Sequence, residues 1–426
     1  MKECKIVIGK NFGDEGKGMM TAAFAYQSKS RGNALVIKHN GGAQAGHTVE
    51  CGGFRFVFHQ LGSGSTEGAD TYLADSFMVD LLKLAEEIHD YNKCVEENVG
   101  YKKVLRVYAS KKCRITTVYD VLLNNIAETL RDNPHGSCGM GIHETVLRSE
   151  AMPFAIGEIK DINSLKVYLE RVRNVYVPGR CEELFTSITG LGKEEFIEKN
   201  PTHEVIDWLE LIDNDNLLLN VSEDMYDSLV KFIIPIDDKD EFKEFVGKYE
   251  TYIFEGAQGL MLDMDNMEYF PNLTHSKTGS YNPVRILDEM GFDDKNIDVE
   301  VCFITRSYVT RHGNGRLDYE CGFDRIKGFR GDKTNVPNPW QKSLRFALHP
   351  EASEFNRFVK KDLLYYDGKF NPKVSLLVSH LNETADMMLT SKGYIELDGF
   401  LEKGLYQTVY KSYKNDYREK TVFTKE

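Results

Sequence analysis

The stretch IGKNFGDEGKGMM, residues 8–20, most constrains the fold of this chain. It lies between a short β-rich run, CKIVIG, and a helical run, MMTAAFAYQSKS. A strand, a glycine-rich turn and a helix open many nucleotide-binding α/β folds, because the helix N-terminus and its backbone amides bind phosphate. The loop departs from the motif G-x-x-x-x-G-K-[S/T], since Asn11 replaces the first glycine and Gly18 the hydroxyl residue. It also carries two acids, Asp14 and Glu15, where a polyanion should bind.

The same strand-then-polar-loop pattern recurs along the chain, in NALVIKHNGG, TYIFEGAQGLMLDMD, DVEVCFITRSYVTRHGNG and PKVSLLVSHLNETAD. Ligand groups at the carboxyl ends of several strands are typical of a parallel sheet. Residues 151–250 are highly charged and helical in pattern, and they carry no recognisable chemistry. We therefore expect an α/β fold with a mainly parallel central sheet. The chain should form a single domain, residues 1–426, with a helical insertion or subdomain around 151–250.

Composition and charge limit the partners and the cellular compartment that we expect for this chain. The formal net charge of -13 disfavours a nucleic-acid partner. The longest apolar runs are too short for a membrane span, and MKECKIVIGK reads as a strand rather than a secretory signal. No C-x-x-C pair occurs, so we expect free thiols in a reducing, cytoplasmic compartment. The eight cysteines are Cys4, Cys51, Cys94, Cys113, Cys138, Cys181, Cys302 and Cys321.

The residues of the first loop suggest phosphate chemistry. Backbone amides near Gly13, Gly16 and Gly18 can surround an anion, and Lys17 adds a positive charge. Asp14 can bind a magnesium ion that bridges phosphates, or it can take a proton from a substrate. The loop taken alone is equally consistent with a tight glycine turn carrying solvated acids.

The second glycine-rich loop, NGGAQAGHT (residues 40–48), favours catalysis over a simple turn. It contains Gln44, Gly46, His47 and Thr48, with few side chains available to bury the histidine. A lone histidine is most often structural, but one in such a loop can donate a proton or hydrogen bond to a developing oxyanion.

Three motifs in one order, GDEGKG, GGAQAGHT and FEGAQGLMLDMD, resemble the adenylosuccinate synthetase family. HQLGSGS and YFPNLTHSKT are also similar to family segments. The resemblance covers roughly residues 1–90 and 250–320, and it is weak elsewhere. It implies the synthetase variant of the P-loop-NTPase-like fold, a homodimer and a role in purine biosynthesis.

The reaction implied by the resemblance is a two-step ligation. A nucleoside triphosphate, normally GTP, phosphorylates the 6-oxygen of the purine monophosphate IMP, and L-aspartate then displaces the phosphate. Asp14 would be the catalytic base and a Mg²⁺ ligand, Lys17 would neutralise the transferring phosphoryl group, and His47 would be the acid. The Gly46 carbonyl matches a second Mg²⁺ ligand, and Thr48 would hold phosphates of the donor nucleotide.

The binding residues that the resemblance implies form three sets. One member of the acceptor-nucleotide set, Arg148, is either an arginine that reaches the partner subunit's nucleotide or an ordinary surface arginine. The acceptor-nucleotide set is Gln44, Ser137, Cys138, Arg148, Gln258, Thr274 and Arg311. The donor-nucleotide set is Gly13, Glu15, Gly16, Lys17, Gly18, Gly46, Thr48, His380, Asn382 and Ser412. The amino-acid set is Lys342 and Arg345.

Two departures from the family pattern leave the substrates open. The arginine-rich loop that clamps aspartate is replaced by KTNVPNPWQKSLRFALHP, so another amine remains an alternative. Asn382 stands where an aspartate reads guanine, so ATP is an alternative to GTP. A viral-type synthetase that acts on dGMP with ATP is the enzymatic alternative, although retention of Asp14 favours an acceptor without a 2-amino group. A nucleotide-binding sensor without catalytic activity is the non-enzymatic alternative.

Overall fold

The chain begins as the first loop predicts, with a strand, the glycine-rich loop and a helix. The computed structural model describes residues 1–99, 105–132, 138–237, 240–331, 343–419 and 421–424. The strands are β1 (Lys2–Gly9), β2 (Ala34–Lys38), β3 (His47–Cys51), β4 (Phe54–Phe58), β5 (Asp70–Leu73), β6 (Met78–Val79), β7 (Val107–Ser110), β8 (Arg114–Ile115), β9 (Ile233–Ile236), β10 (Thr251–Gly259), β11 (Ile297–Arg306), β12 (Val309–Arg311), β13 (Glu320–Cys321), β14 (Arg345–Ala347), β15 (Lys373–Ser379), β16 (Met387–Thr390), β17 (Gly393–Glu396), β18 (Thr408–Lys411) and β19 (Thr421–Thr424).

Helices connect these strands and cover both faces of the main sheet. The helices are α1 (Lys17–Ser28), α2 (Leu81–Val99), α3 (Val118–Leu130), α4 (Ile142–Ala151), α5 (Ile162–Arg171), α6 (Val177–Thr189), α7 (Lys193–Lys199), α8 (Val205–Ile212), α9 (Asp215–Phe232), α10 (Asp240–Gly247), α11 (Tyr281–Glu289), α12 (Ala352–Phe355), α13 (Arg357–Leu363) and α14 (Leu397–Phe400).

Within the described ranges the main sheet has ten strands, in the order β19-β18-β15-β11-β1-β10-β2-β5-β7-β9. Every neighbouring pair is parallel except β18 and β19, which are antiparallel. β1 lies between β10 and β11, so the first loop emerges near the middle of the sheet. The predicted α/β class with a mainly parallel sheet is confirmed.

Two apolar layers lie on opposite faces of this sheet. Alternate residues of β1 enter different layers, with Val7 in one and Ile6 and Ile8 in the other. This alternation follows from the two-residue period of a strand, and a strand buried on both faces reads as a continuous apolar run. The central strands are therefore rigid supports for the loops at their ends.

The region 151–250 is mostly helical, as its pattern predicts, and contains α5 to α10. The sequence IIPI within it also forms a strand, β9, which pairs in parallel with β7 at the edge of the main sheet. The sequence pattern did not predict this strand, because four residues with a proline give a weak strand pattern. Through β9, the segment is part of the main sheet. Within the described ranges no helix has both the length and the apolarity that a membrane span requires.

Candidate active site

Parallel strands place the polar loops of distant segments at one edge of the sheet. The loops that follow β1, β2, β10, β11 and β15 leave adjacent strands in the same direction. Residues at or after the ends of β1, β2, β11 and β15 border a cavity of about 280 Å³. Every predicted donor-site residue except Glu15 lines this cavity, together with Asp14 and His47. Further residues that line the cavity include Glu50, Arg306, Phe329, Glu383, Lys414 and Asn415.

The first loop turns tightly under this cavity. Gly13 and Gly16 have φ values of 116° and 107°, a region that only glycine enters without strain. The Lys17 ammonium donates to the Gly13 carbonyl across the turn, and burial lowers its pKa. A buried cation that can exchange a carbonyl for phosphate oxygens suits a polyanionic ligand.

Glu15 is the one member of the predicted donor-nucleotide set that does not line the cavity. Its Oε1 accepts hydrogen bonds from the backbone amides of Asn11 and Gly13, at 2.9 and 3.2 Å. The carboxylate is buried behind the loop, and burial raises its pKa. Glu15 therefore supports the loop from within, and its carbonyl accepts from the hydroxyl of Ser379.

Gly18 allows the first helix to pack directly against the second loop. A Cβ atom at this position would lie 2.8 Å from the Cβ of His47 and 3.1 Å from the Oγ of Ser63. Real Cβ atoms do not approach other carbons this closely. The absence of a hydroxyl side chain after Lys17 is thus a packing requirement of this site.

His47 is held by a buried network of charges. Its Nδ1 lies 2.7 Å from Glu255 Oε1, and the hydroxyl of Ser63 donates to the same carboxylate oxygen. The amide of Ser63 donates to Glu255 Oε2 at 3.0 Å, and the Lys38 ammonium lies 3.5 Å from that oxygen. Because Lys38 and His47 outweigh burial, the pKa of Glu255 lies below its ordinary value. Glu255 therefore keeps its charge and fixes the orientation of the imidazole.

The protonation state of His47 follows from this network. Burial, and then the nearby Lys38, lower the pKa of His47 to about 4. A proton on Nδ1, directed at Glu255, leaves Nε2 as the ring atom available to a ligand. Negative phosphates in the cavity favour a second proton on the ring, and Glu255 stabilises the resulting cation. The arrangement suits a group that donates to an oxyanion.

Asp14 lies at the junction of three segments. Its side chain is 27% exposed, and its Oδ2 is 3.6 Å from Nε2 of His312. Its backbone carbonyl accepts a hydrogen bond from Nε of Arg306 at 2.5 Å. Asp14 and the exposed Gly46 both line the cavity.

The oxygen atoms that Asp14 and Gly46 offer at the cavity are compatible with binding of Mg²⁺. Within the described ranges, no three His, Cys, Asp or Glu side chains converge as a metal cage built from protein alone. Mg²⁺ usually binds through one or two carboxylates, waters and substrate phosphates, rather than through such a cage. The carboxylate of Asp14 and the carbonyl of Gly46 beside a phosphate-sized cavity fit that mode.

The predicted acceptor residues include several buried polar atoms that have no partner within the described part of the chain. These are both amide atoms of Gln44, Oε1 of Gln258 and Nε of Arg311. Gln258 also has φ of 61°, a strained value for a non-glycine residue, and its Cα packs against Gly13. Unpartnered buried polar groups are costly, and strained residues concentrate at binding sites. These atoms therefore indicate a polar ligand beside the first loop.

The remaining predicted acceptor residues have varied surroundings. Thr274 is buried, and its amide donates to the carbonyl of Leu262 at 2.9 Å. Cys138 lies just before α4, and burial raises the pKa of its thiol. The first residue of α4, Ile142, lies against Gly42 of the second loop, so this segment borders the acceptor side. Ser137 and Lys342 lie outside the described residues.

Arg148 is neither a surface arginine nor a nucleotide ligand in this chain. Its side chain is fully buried, and it forms two-pronged hydrogen bonds with Asp120 at 2.8 to 3.0 Å. It also donates to the hydroxyl of Tyr168 and the carbonyl of Ile115. Both expectations were wrong, because the guanidinium is used within the core to join α3, α4 and α5.

Arg345 does not present a free carboxylate clamp either. Its guanidinium pairs with Glu320 at 2.5 and 2.8 Å and donates to the carbonyls of Gly313 and Gly315. The neighbouring Arg311 stacks over Phe12 at 4.6 Å. Arg345 thus fixes the loop at 313–315, and its expected contact with an amino acid would require Glu320 to be displaced.

Sequence reasoning missed four residues that the fold brings to the cavity or its support. Lys38 and Glu255 are charged residues inside apolar strands, ALVIK and TYIFEG, and that unusual placement was an available signal. Arg306 and Glu383 also line the cavity, but nothing in their local patterns distinguishes them from surface charges.

Comparisons with known proteins agree with these motifs. The family model described as adenylosuccinate synthetase matches residues 6–330. A synthetase of that name from Picrophilus torridus is 28% identical over 380 residues, 86% of this chain and 78% of the relative. One from Finegoldia magna is 27% identical over 317 residues, which cover 74% of this chain and 65% of the relative, just under two thirds of its length.

Two solved structures share the fold. The fully ligated adenylosuccinate synthetase of Plasmodium falciparum aligns with a TM-score of 0.59 and 18% identity, covering 98% of this chain and 87% of that one. The succinoaminodeoxyadenylate synthetase of cyanophage S-2L, bound to dGMP and to dATP as energy donor, aligns with a TM-score of 0.58 and 13% identity. That match covers 100% of this chain and 95% of the phage protein.

Replacing Gly18 by Ala should separate the packing requirement from any need for a hydroxyl. The added methyl must displace His47, so we expect phosphate-releasing activity to fall by about 10²-fold, as misplaced catalytic groups typically cause. Gly179→Ala is the control, since nothing lies within 4 Å of the atom it adds in a helix. Activity of the Gly18→Ala protein equal to that of this control would contradict the close contact.

Removing the charge of Glu255 should affect both folding and function. Glu255→Gln leaves Lys38 buried without its carboxylate, which should lower the free energy of unfolding by about 3 kcal/mol, measured by urea denaturation. Glu300→Gln is the matched control, because Glu300 is a buried sheet carboxylate paired with Lys5 away from the cavity. We expect only Glu255→Gln to reduce phosphate release beyond what its folded fraction explains.

Arg148→Ala should behave as a core mutation. Loss of one partner of a buried ion pair typically costs about 3 to 5 kcal/mol, so urea unfolding should shift strongly. Arg131→Ala, which removes an arginine 23% exposed and paired with Glu128, should shift it by about 1 kcal/mol or less. Unchanged stability of Arg148→Ala together with weaker monophosphate binding would restore the nucleotide-binding role.

Proposed function

The chain belongs to the adenylosuccinate synthetase family, a family of carbon–nitrogen ligases, and we propose that it catalyses the two-step ligation of that family. In this proposal a purine nucleoside triphosphate phosphorylates the 6-oxygen of IMP, and L-aspartate displaces the phosphate to give adenylosuccinate. The observation that carries the proposal is the convergence of Asp14, Lys17 and His47 on one cavity, with both amide atoms of Gln44 and Oε1 of Gln258 left without partners among the described residues. A binding protein without catalysis has no need for a base and an acid at the same place.

The first step needs a base, because the purine N1 proton leaves as the 6-oxygen attacks the γ-phosphorus. Asp14 takes that proton in our proposal, while the diphosphate departs as the leaving group. Lys17 and the backbone amides of the first loop neutralise charge on the transferring group. His47 donates a hydrogen bond from Nε2 on the side of the 6-oxygen and the γ-phosphate. Glu255 supports the imidazole through its contact with Nδ1.

Magnesium would be held by Asp14 and the Gly46 carbonyl together with the donor phosphates, and it would supply charge neutralisation there. In the second step an amine attacks C6, and the 6-phosphoryl group leaves as inorganic phosphate. The protonated His47 is placed to stabilise that departing anion.

The donor base and the amine depend on two separate groups of residues. Asn382 is exposed at the donor end, and its amide can pair with adenine or guanine, so both ATP and GTP fit. L-Aspartate is the family's amine, although Arg345 is engaged by Glu320 in this structure. Ser412 lies at the same donor end. A homodimer and a cytoplasmic location complete the proposal, in keeping with the family.

The second enzymatic candidate is the reaction of the phage type, with dGMP as acceptor and ATP as donor. Asn382 stands where the family has an aspartate that hydrogen-bonds to guanine, and this difference favours ATP as the donor and so favours this candidate. Retention of Asp14, which leaves less room for a 2-amino group, opposes it. A matrix assay decides: IMP, GMP and their deoxy forms, each with ATP or GTP and a panel of amino acids, read by phosphate release and product mass. Phosphate release in no combination would instead favour the inactive sensor.

Asp14→Asn tests the central assignment. Loss of a general base typically lowers the rate by about 10² to 10⁴-fold, so phosphate release should fall by that amount. Donor affinity, measured by calorimetry with a non-hydrolysable triphosphate and Mg²⁺, should change far less. Asp398→Asn, an exposed aspartate remote from the cavity, is the control. Full turnover by Asp14→Asn would overturn the role of this residue.

A further inference from the structure

Phe329 is the only phenylalanine, tyrosine or tryptophan among the described residues that line the cavity. Its side chain is half-buried, and the rest of the wall consists mainly of glycines and of polar or charged residues. Met19 is the other large apolar residue of the wall, and only 7% of it is exposed. A ligand with a flat, weakly polar ring therefore has one extended apolar surface on which to lie, the side chain of Phe329.

The ring of Phe329 is braced by aromatic neighbours. It lies 4.9 Å from the ring of Phe346, at an interplanar angle of 70°, and 6.1 Å from that of Phe323. Phe346 belongs to β14, the strand between β12 and β13. The amide of Phe329 also donates to the carbonyl of Ile326 at 3.1 Å. Because these contacts already hold the ring, it has little side-chain freedom left to lose when a ligand binds.

The backbone next to Phe329 touches the loop that carries Asn382. The Gly328 amide donates to the Glu383 carbonyl at 2.8 Å, and a Cβ atom on Gly328 would lie 2.8 Å from the Cα of Glu383. Phe329 and Asn382 are each one position from this contact, and both line the cavity. The aromatic surface and the amide that we assign to the donor base are therefore neighbours on one wall.

The segment 380–386, which contains Asn382, is held in a strained conformation. Positive φ values of 61°, 54° and 62° occur at three non-glycine residues of the segment: His380, Ala385 and Asp386. The hydroxyl of Tyr413 donates to Asp386 at 2.8 Å and helps to hold the segment. Strained residues concentrate at binding sites, where the surrounding contacts over-determine them. These φ values therefore favour a binding surface, rather than an ordinary surface turn, beside Phe329.

We propose that Phe329 is the surface on which the base of the donor nucleotide stacks, and that it makes the donor site select purines over pyrimidines. The inference rests on the proposed function, since it assigns the cavity to a nucleoside triphosphate whose phosphates lie at the first loop. Every nucleobase has a π face, and stacking on an aromatic side chain does not depend on the groups at the edge of the base. A purine covers more of the phenyl ring than a pyrimidine does, so it buries more apolar area.

Recognition of the edge of the base adds little discrimination between the purines. The amide of Asn382 carries both donors and an acceptor, so it can pair with adenine or with guanine. The donor class is therefore a purine nucleoside triphosphate rather than GTP alone. This assignment also explains how an asparagine can stand where the family has a guanine-reading aspartate, because affinity for the base comes from Phe329 rather than from hydrogen bonds at its edge.

Equilibrium binding separates stacking from contacts with the phosphates. Calorimetry with Mg²⁺ measures the affinities of AMPPNP, GMPPNP, UMPPNP and inorganic triphosphate for the full chain. We expect the two purine analogues to differ by about 5-fold or less and to bind about 10-fold more tightly than UMPPNP. A preference of about 20-fold or more for one purine, as edge recognition gives, would overturn the proposal. Binding of UMPPNP as tightly as both purine analogues would also overturn it.

Phe329→Leu removes the π face while it keeps an apolar side chain against Phe346. It should weaken both purine analogues by about 10-fold, whereas Phe329→Trp should retain their binding. Inorganic triphosphate should bind Phe329→Leu within about 2-fold of its affinity for the unmodified protein, which also reports that the variant is folded.

Phe323→Ala is the matched control for Phe329→Leu. It removes a neighbouring phenyl ring that is 62% exposed and is not among the described residues of the cavity wall. We expect Phe323→Ala to bind both purine analogues as the unmodified protein does. Equal losses in the two variants, or unchanged purine binding by Phe329→Leu, would overturn the role of Phe329.

The stacking site and the proposed function can fail separately. Phosphate release in no combination of the matrix assay, together with the expected pattern of affinities, would remove the ligase activity and keep the purine-stacking site. Turnover of purine donors by Phe329→Leu with an unchanged KM would remove the stacking site and keep the ligase.

Discussion

The buried carboxylate of Glu255 is the interaction on which the rest of the site depends. A charge in the interior of a sheet is costly unless it is paired and hydrogen-bonded. Glu255 meets that condition with Lys38 from the neighbouring strand, His47 from the second loop and Ser63 from the turn after β4. The same bonds that make its burial tolerable therefore fix three separate segments relative to β10.

A site held in this way can leave other polar groups unpartnered. Both amide atoms of Gln44 and Oε1 of Gln258 lack partners among the described residues, and Gln258 is held at a strained φ. Such groups would normally draw neighbouring side chains toward them or relax. They persist because the backbones around them are locked by Glu255, by the contact of Gly18 with His47 and by the contact of Gly13 with Gln258. The protein is thus organised for a ligand before the ligand arrives.

The sequence predicted the parts of this arrangement that depend on topology. Glycine-rich loops after apolar strands must meet at one edge of a parallel sheet, so the convergence of Asp14, His47 and Asn382 could be anticipated from order alone. Side-chain direction could not. Glu15 and Arg148 both fall in or near motif segments, yet one supports the loop from behind and the other joins three helices in the core. Their roles depend on partners distant in sequence, such as Asp120 for Arg148, and no local pattern specifies those partners.

The residues that depart from the family pattern lie outside the group that we assign to phosphate and proton chemistry. Asp14, Lys17 and His47, to which we assign phosphate and proton chemistry, keep their types, because that chemistry is the same whatever base the donor carries. The residues that we assign to the donor base and to the amino acid differ, with Asn382 on the cavity wall and Arg345 bonded to Glu320 elsewhere.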